Sequence, residues 1–248
     1  MKTTVIINTY NEDKNILLRA VQSYIDQCHQ LIISTVEGDP SIKYIKGVDW
    51  AILPKAKHAG KSPFGSFQQI NNALPLVTGD YFCWASGNDY AKPHKVLMEV
   101  DALIRTGAHV CYSSFIVDKP NTKRIQAFHH YDYQRHLQNN FVSDCAMMSR
   151  YILEKYLPFH QQWNNMAFWD LWLRIYEGEG NVFTYNNIPT WTYVHRDSDM
   201  SKMRKKSPEQ IAKNNEDKLN MLKHHEGIKS TMGAGNHCPN CQAYGKRS

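Results

Sequence analysis

Four small or oxygen-bearing residues, Ser86, Gly87, Asn88 and Asp89, follow directly on the apolar run Tyr81-Phe82-Cys83-Trp84-Ala85. An apolar run of this length reads as a strand buried on both faces of an α/β sheet. Such strands deliver their carboxyl ends to a crevice where ligands bind. Hard cations take oxygen ligands and glycine lets the backbone come close, so the turn reads as a cradle for a metal-bound diphosphate. An ordinary polar turn after a core strand is the plainer alternative. A second candidate is His195-Arg196, two adjacent cationic or ionisable groups at the end of an aromatic stretch. Asp170 and Arg174, spaced four apart, read either as a helix-surface ion pair or as part of a site.

The elements that would hold these residues alternate along the first half of the chain. Thr3–Asn8 is a β-branched strand running into Thr9-Tyr10-Asn11-Glu12, and from Asp13 onward Ile16, Leu17, Ala20, Val21, Tyr24 and Ile25 fall at helical spacing. Asn11 or Asp13 suits the cap of that helix. Residues 31–36 read as a second strand, stopped by the turn cluster Glu37-Gly38-Asp39-Pro40, and residues 50–53 as a third. Residues 60–65 read as a loop, and Phe67, Ile70, Ala73 and Leu74 mark a helix before the apolar run at 81–85. Pro93 is expected to open a helix over 96–104. Strand–helix alternation of this kind implies an α/β fold with a mostly parallel central sheet flanked by helices. In the second half, 109–117 and 123–128 are strand-like around a Lys-Pro-Asn-Thr turn, 151–156 and 168–176 read as helices, and 182–185 and 190–194 as two short strands. A helix starts at Ser207-Pro208-Glu209 and runs through Leu222, and the composition beyond Gly227 reads as flexible.

Charge divides the chain unevenly. From Lys202 onward there are ten Lys and Arg against four Asp and Glu, which equals the whole chain's excess of 29 basic over 23 acidic residues. Residues 1–201 are therefore formally neutral, and 202–248 form a basic appendage suited to an acidic partner. Four cysteines (Cys28, Cys83, Cys111, Cys145) sit singly among apolar neighbours and read as core residues. Cys238 and Cys241 form the one CxxC, a zinc half-site that His224, His225 or His237 could complete. No apolar run approaches the length that crosses a bilayer, and Met1-Lys2 leads into a strand without a signal-peptide pattern. The expectation is a cytoplasmic protein, touching a membrane surface or polyanion only through the basic tail.

Four blocks, in order over residues 3–201, resemble the family 2 glycosyltransferases. TVIINTYNED is similar to the family's first strand and nucleotide-holding turn. GDYFCWASGNDYAKPHKV resembles the block GDYI-x-LDSDD-x-x-x-P-x-K. FWDLWLRI resembles the helix ED-W-D-L-W-L-R, and YVHRDS is similar to the closing segment Y-x-x-H-x-x-S. The resemblance implies a GT-A fold. It also implies transfer of a sugar from a nucleotide-diphosphate donor, a UDP-sugar above all, to an acceptor hydroxyl with inversion. By that resemblance Thr9, Asn11 and Glu12 line the nucleotide, Glu37 or Asp39 sits by the uracil or ribose, and Asn88 and Asp89 sit at the diphosphate with Mn2+ or Mg2+. His195 and Arg196 supply further positive charge there, and Asp170 is the nearest carboxylate for the base.

The departures are specific. The family's Asp-X-Asp falls on Ser86 and Asn88, so two carboxylates are lost at the metal position. The acidic pair that opens the helix falls on Ala167 and Phe168, and Asp-Asp-Gly-Ser becomes Val36-Glu37-Gly38-Asp39. Three acceptor classes stay open: a glycan, a lipid, or a modified nucleic acid engaged by the basic tail. A relative that has lost catalysis and only binds the donor is the alternative from another class.

Overall fold

The computed structural model describes residues 1–55, 65–195 and 208–231. Its first half is a parallel layer of β1 (Thr3–Asn8), β2 (Gln30–Val36), β3 (Asp49–Leu53) and β4 (Tyr81–Ser86), crossed by α1 (Lys14–Ile25) and α2 (Gly65–Ala73). The strands are apolar on both sides because both sides are covered. Val5 and Ile7 of β1 and Cys83 and Ala85 of β4 meet Leu17 and Ala20 of α1 in one core. Ile6, Phe82 and Trp84 point the other way, to Ile70 of α2 and Trp172. Asp13 caps α1, its Oδ1 accepting from the amides of Asn15 (2.8 Å) and Ile16 (3.1 Å).

Beyond β4 come β5 (Tyr90–Ala91), α3 (Lys95–Thr106), β6 (Val110–Lys119), β7 (Thr122–Gln126), α4 (Tyr133–Gln138), β8 (Met147–Ser149), α5 (Arg150–Tyr156), α6 (Ala167–Glu179), β9 (Phe183–Val194) and α7 (Pro208–Thr231). The nine strands make one sheet in the order β3-β2-β1-β4-β8-β6-β9-β5, with β7 paired to β6. The register brings β1, β2 and β4 to the same level at their carboxyl ends: Asn8 faces Ser34 on one side and Ser86 on the other.

Three readings of the sequence change. α3 begins at Lys95, because Pro93 is followed by His94 at φ 65°, a left-handed residue outside the helix. The two short strands expected at 182–185 and 190–194 are one strand, β9, which pairs with β6 along both parts. A register shift joins them: the step from Asn186 to Trp191 faces only that from Ser113 to Phe115, so the segment containing Pro189 bulges out. α7 does not stop at Gly227 but runs to Thr231, and it lies against the body of the fold, with Met221 and His225 fully buried. Among the described residues no helix is long and apolar enough to cross a membrane.

Candidate active site

The common edge of β1, β2 and β4 gathers most of the residues singled out from the sequence. Three connections fasten it. Thr9 N–H donates to Ser34 O and Gly87 N–H to Asn8 O, both at 2.9 Å. Asp39, which is buried, accepts from the amides of Asn11 (2.6 Å) and Ser41 (2.8 Å) and so holds Asn11 in its left-handed conformation, φ 51°. Thr9 is buried with its Oγ1 unpartnered among the described residues, while its carbonyl accepts from Gln69 Nε2 at 2.8 Å. Asn11 and Glu37 are exposed on the same edge and Glu12 is half-buried.

The turn at 86–89 is tightly built. A Cβ at Gly87 would lie 2.9 Å from both Cβ and Oγ1 of Thr9 and 3.1 Å from Leu17 Cδ1. Gly87 is therefore required for space. Gly87→Ala, by displacing Thr9, is expected to cost about 1–3 kcal/mol. Thermal unfolding of that variant checks it.

The same turn is a poor fit for a divalent ion. Asn88 Oδ1 accepts from Ser86 Oγ at 2.5 Å, and Asn88 Nδ2 donates to Val194 O at 3.2 Å. Asp89 is buried, and its Oδ1 accepts from Val194 N–H at 2.9 Å. One carboxylate, already bonded to the backbone, is a weak donor set for a hard cation that wants six or more oxygens. Among the described residues no group of three His, Cys, Asp or Glu is placed to hold a metal. What the turn does instead is pin β9: through Asp89 and Asn88 it fixes Val194, and with it His195, whose N–H donates to Asp118 O at 2.8 Å.

Beside this pinned strand end lies a cleft of about 960 Å³. Its floor is one face of three paired strands, as side-chain alternation dictates. Phe115, Val117 and Lys119 come from β6, Arg124 and Gln126 from β7, Trp191 and Tyr193 from β9, and His195 directly follows β9. The opposite wall is α4 and the segment 139–144 that leads into β8. β8 runs antiparallel to β4, with Met148 opposite Phe82, so the residues just before it rise toward the level of Ser86. Asp144 stands there. Asp144 is an exposed residue lining the cleft, and the protein crowded around its carboxyl pushes it up to about 6 by desolvation.

Asp170 is elsewhere, in an environment unlike that of a solvent-facing base. It is fully buried in α6, 2.8 Å from Arg174 Nε, 3.3 Å from His160 Nδ1 and 3.2 Å from His225 Nε2. Burial works against its charge, but Arg174 and the bonds from His160 and His225 outweigh that and hold it well below the usual carboxylate range. A carboxylate with so little proton affinity and no solvent path is a poor base for a substrate hydroxyl. Phe168, where the resemblance expects an acid, packs against Trp84 and Phe159. His225 is also excluded from completing a zinc site, since its Nδ1 lies 2.8 Å from Glu177 and its Nε2 faces Asp170. Arg196, His237, Cys238 and Cys241 lie outside the described residues.

Asp144, Arg124 and Arg135 were not singled out from the sequence. A signal existed for Asp144: Ser143-Asp144 abuts the apolar run Cys145-Ala146-Met147-Met148 as Ser86–Asp89 abuts Tyr81–Ala85, but with the order reversed for an antiparallel strand.

No family model matches the chain, and no curated protein matches it. Solved structures do. Staphylococcus aureus TarS 1-349 aligns with TM-score 0.60 at 14% identity, over 78% of this chain and 60% of that one. The same protein in complex with UDP-GlcNAc aligns with TM-score 0.62 at 12% identity, over 92% and 70%. Glucosyl-3-phosphoglycerate synthase from Mycobacterium tuberculosis in complex with UDP aligns with TM-score 0.59 at 15% identity, over 92% and 80%. The fold is GT-A. At such identities the likeness concerns the fold alone, and the chain spans less than two-thirds of the first of these structures.

Proposed function

We propose that the protein is a glycosyltransferase that moves a sugar from a nucleotide-diphosphate donor, a UDP-sugar, to an acceptor hydroxyl with inversion. The observation that carries this is the junction made by Asp89, which ties the edge bearing Thr9, Asn11 and Asp39 to the cleft at Val194. A donor lying along that edge presents its anomeric carbon to a molecule in the cleft, which is the in-line arrangement a direct displacement needs. Thr9, Asn11, Glu12, Glu37 and Asp39 are the proposed nucleotide contacts, and Asn88 and Asp89 shape the diphosphate position. With the metal position depleted, His195 and Arg196 are proposed to meet the charge of the leaving diphosphate. The base is assigned to Asp144, the one carboxylate among the described residues lining the cleft.

Thermal unfolding with UDP-, GDP- and dTDP-sugars, each with Mn2+ or with EDTA, tests the donor. At a concentration 100 times the Kd, a ligand of the folded state adds about 2.7 kcal/mol, or roughly 5–10 °C in a chain of this size. The expected result is a shift with the UDP-sugar that EDTA does not remove. No shift with any nucleotide counts against a donor site, and a shift abolished by EDTA counts against the poor metal fit. A second reading, a donor-binding protein without catalysis, is favoured by Phe168 filling the acidic position as a core aromatic. It predicts nucleotide binding with no release of UDP over hours.

A further inference from the structure

The cleft carries a charge imbalance that donor binding leaves unused. Lys119, Arg124 and Arg135 line it together with a single carboxylate, Asp144. Alternation along β7 separates two neighbouring cations: Lys123 turns to the other face, where it pairs with Asp118 at 3.0 Å, while Arg124 faces the cleft. No carboxylate among the described residues forms an ion pair with Lys119, Arg124 or Arg135. Cations gathered in one concavity raise the local concentration of anions and repel one another until an anion neutralises them. Two guanidinium groups with an ammonium suit a phosphate, in a monoester or a diester, better than a lone carboxylate, because each fork can bond two of its oxygens.

The floor of the cleft also suits a hydroxylated ligand. Trp191 stacks on Phe115 with centroids 4.4 Å apart, giving the floor an aromatic surface for the C–H face of a polyol or sugar. The volume, about 960 Å³, suits a small molecule or the end of a chain rather than a folded partner.

We propose that this cleft is the acceptor site and that the acceptor is a hydroxylated phosphate ester. Arg124 and Arg135, with Lys119, hold the phosphate, and the hydroxyl turns toward Asp144. The assignment rests on the glycosyltransferase reading above. In the step it serves, the Asp144 carboxylate takes the hydroxyl proton and the acceptor oxygen bonds to the anomeric carbon of the donor. The anomeric C–O bond to the diphosphate breaks, and the nucleoside diphosphate leaves with the electron pair.

Calorimetric titration of the full chain with inorganic phosphate, glycerol 3-phosphate and glycerol, in the presence of saturating UDP, tests this. Both phosphate probes are expected to bind and glycerol is not. Arg124→Ala/Arg135→Ala, at two exposed positions, is expected to weaken the phosphate probes about 10–100-fold and to leave UDP affinity unchanged. Adding glycerophosphoglycerol separates the sources: tighter binding of this diester than of the monoester assigns a polymeric acceptor, and the reverse assigns a small one. Equal binding by wild type and double variant overturns the assignment, as does no heat from either phosphate probe at millimolar concentration. A parallel fall in UDP affinity also overturns it, because the arginines then serve the donor. Failure of the wild type to bind UDP at all is the distinct result that removes the donor reading beneath it.

Discussion

Asp144→Asn is expected to slow sugar transfer by about 10²–10⁴-fold, the range a positioned base contributes, while UDP-sugar affinity stays as in the wild type. Asp144 combines what Asp170 lacks: access to the cleft and a carboxyl pushed up to about 6 by the protein around it. A base of that pKa is ionised at pH 7 and still binds a proton far better than an ordinary aspartate. The rate should therefore rise with pH through about 6 and level off above it, and the Asn variant should lose that limb along with the rate. Stability moves the other way. A carboxylate whose folded pKa is raised costs stability once it ionises, so the Asn variant should melt no lower than wild type at pH 7. UDP release measured from pH 5 to 8, with melting curves on the same samples, checks each part. A variant that transfers at near wild-type rate takes Asp144 out of the mechanism.

The parallel half of the sheet was legible because its strands are bounded by turn chemistry and its helices carry long apolar stripes. Thr3–Asn8 falls where its β-branched residues predict it, and Asp13 makes the cap its position suggests. The shared edge of β1, β2 and β4 followed, since carboxyl ends of neighbouring parallel strands share a level once the register is set. The cleft was not legible for a physical reason. Its floor joins the β6–β7 hairpin to β9, which pairs parallel with β6 from far along the chain, and its cations are recognisable only once β7 is known to present Arg124 to the cleft and Lys123 to the other face. β9 failed similarly: Pro189 and the asparagines before it look like a break, and only pairing with β6 shows them as a bulge. That the Asp170–Arg174 pair is buried was not legible either, because helical spacing places the two four residues apart but says nothing about which face is covered.

Asp170→Asn should act on stability instead of chemistry, by an amount close to the 3–5 kcal/mol typical of breaking a buried charge cluster. Asp170 accepts from Arg174 and faces His225 of α7, while Arg174 Nη1 donates to Tyr156 O at 2.6 Å and Tyr133 donates to Glu177 at 2.6 Å. The two imidazole nitrogens of His225 face Asp170 and Glu177, so the ring bonds both carboxylates only when doubly protonated. Burial disfavours that charge, but the bonds to Asp170 and Glu177 prevail and raise His225 to about 9. The guanidinium of Arg174 shares Asp170 with His225, and His136 on α4 stays uncharged at neutral pH, lowered to about 3 by burial and by His225. Because His225 binds its proton more tightly folded than unfolded, its contribution is fully present below about 6.5 and disappears as pH climbs through 9. The total is on the order of 3 kcal/mol, from 1.36 kcal/mol per pKa unit. Asp170 has the opposite sign, with stability present above the unfolded carboxylate range and lost in acid. His225→Gln should flatten the alkaline fall and reduce the acid one, and Asp170→Asn should flatten both limbs. Denaturant unfolding of the three proteins from about pH 2 to 10 reads these slopes. If Asp170→Asn instead keeps wild-type stability and loses transfer, the carboxylate belongs to the chemistry and α7 is held by something else.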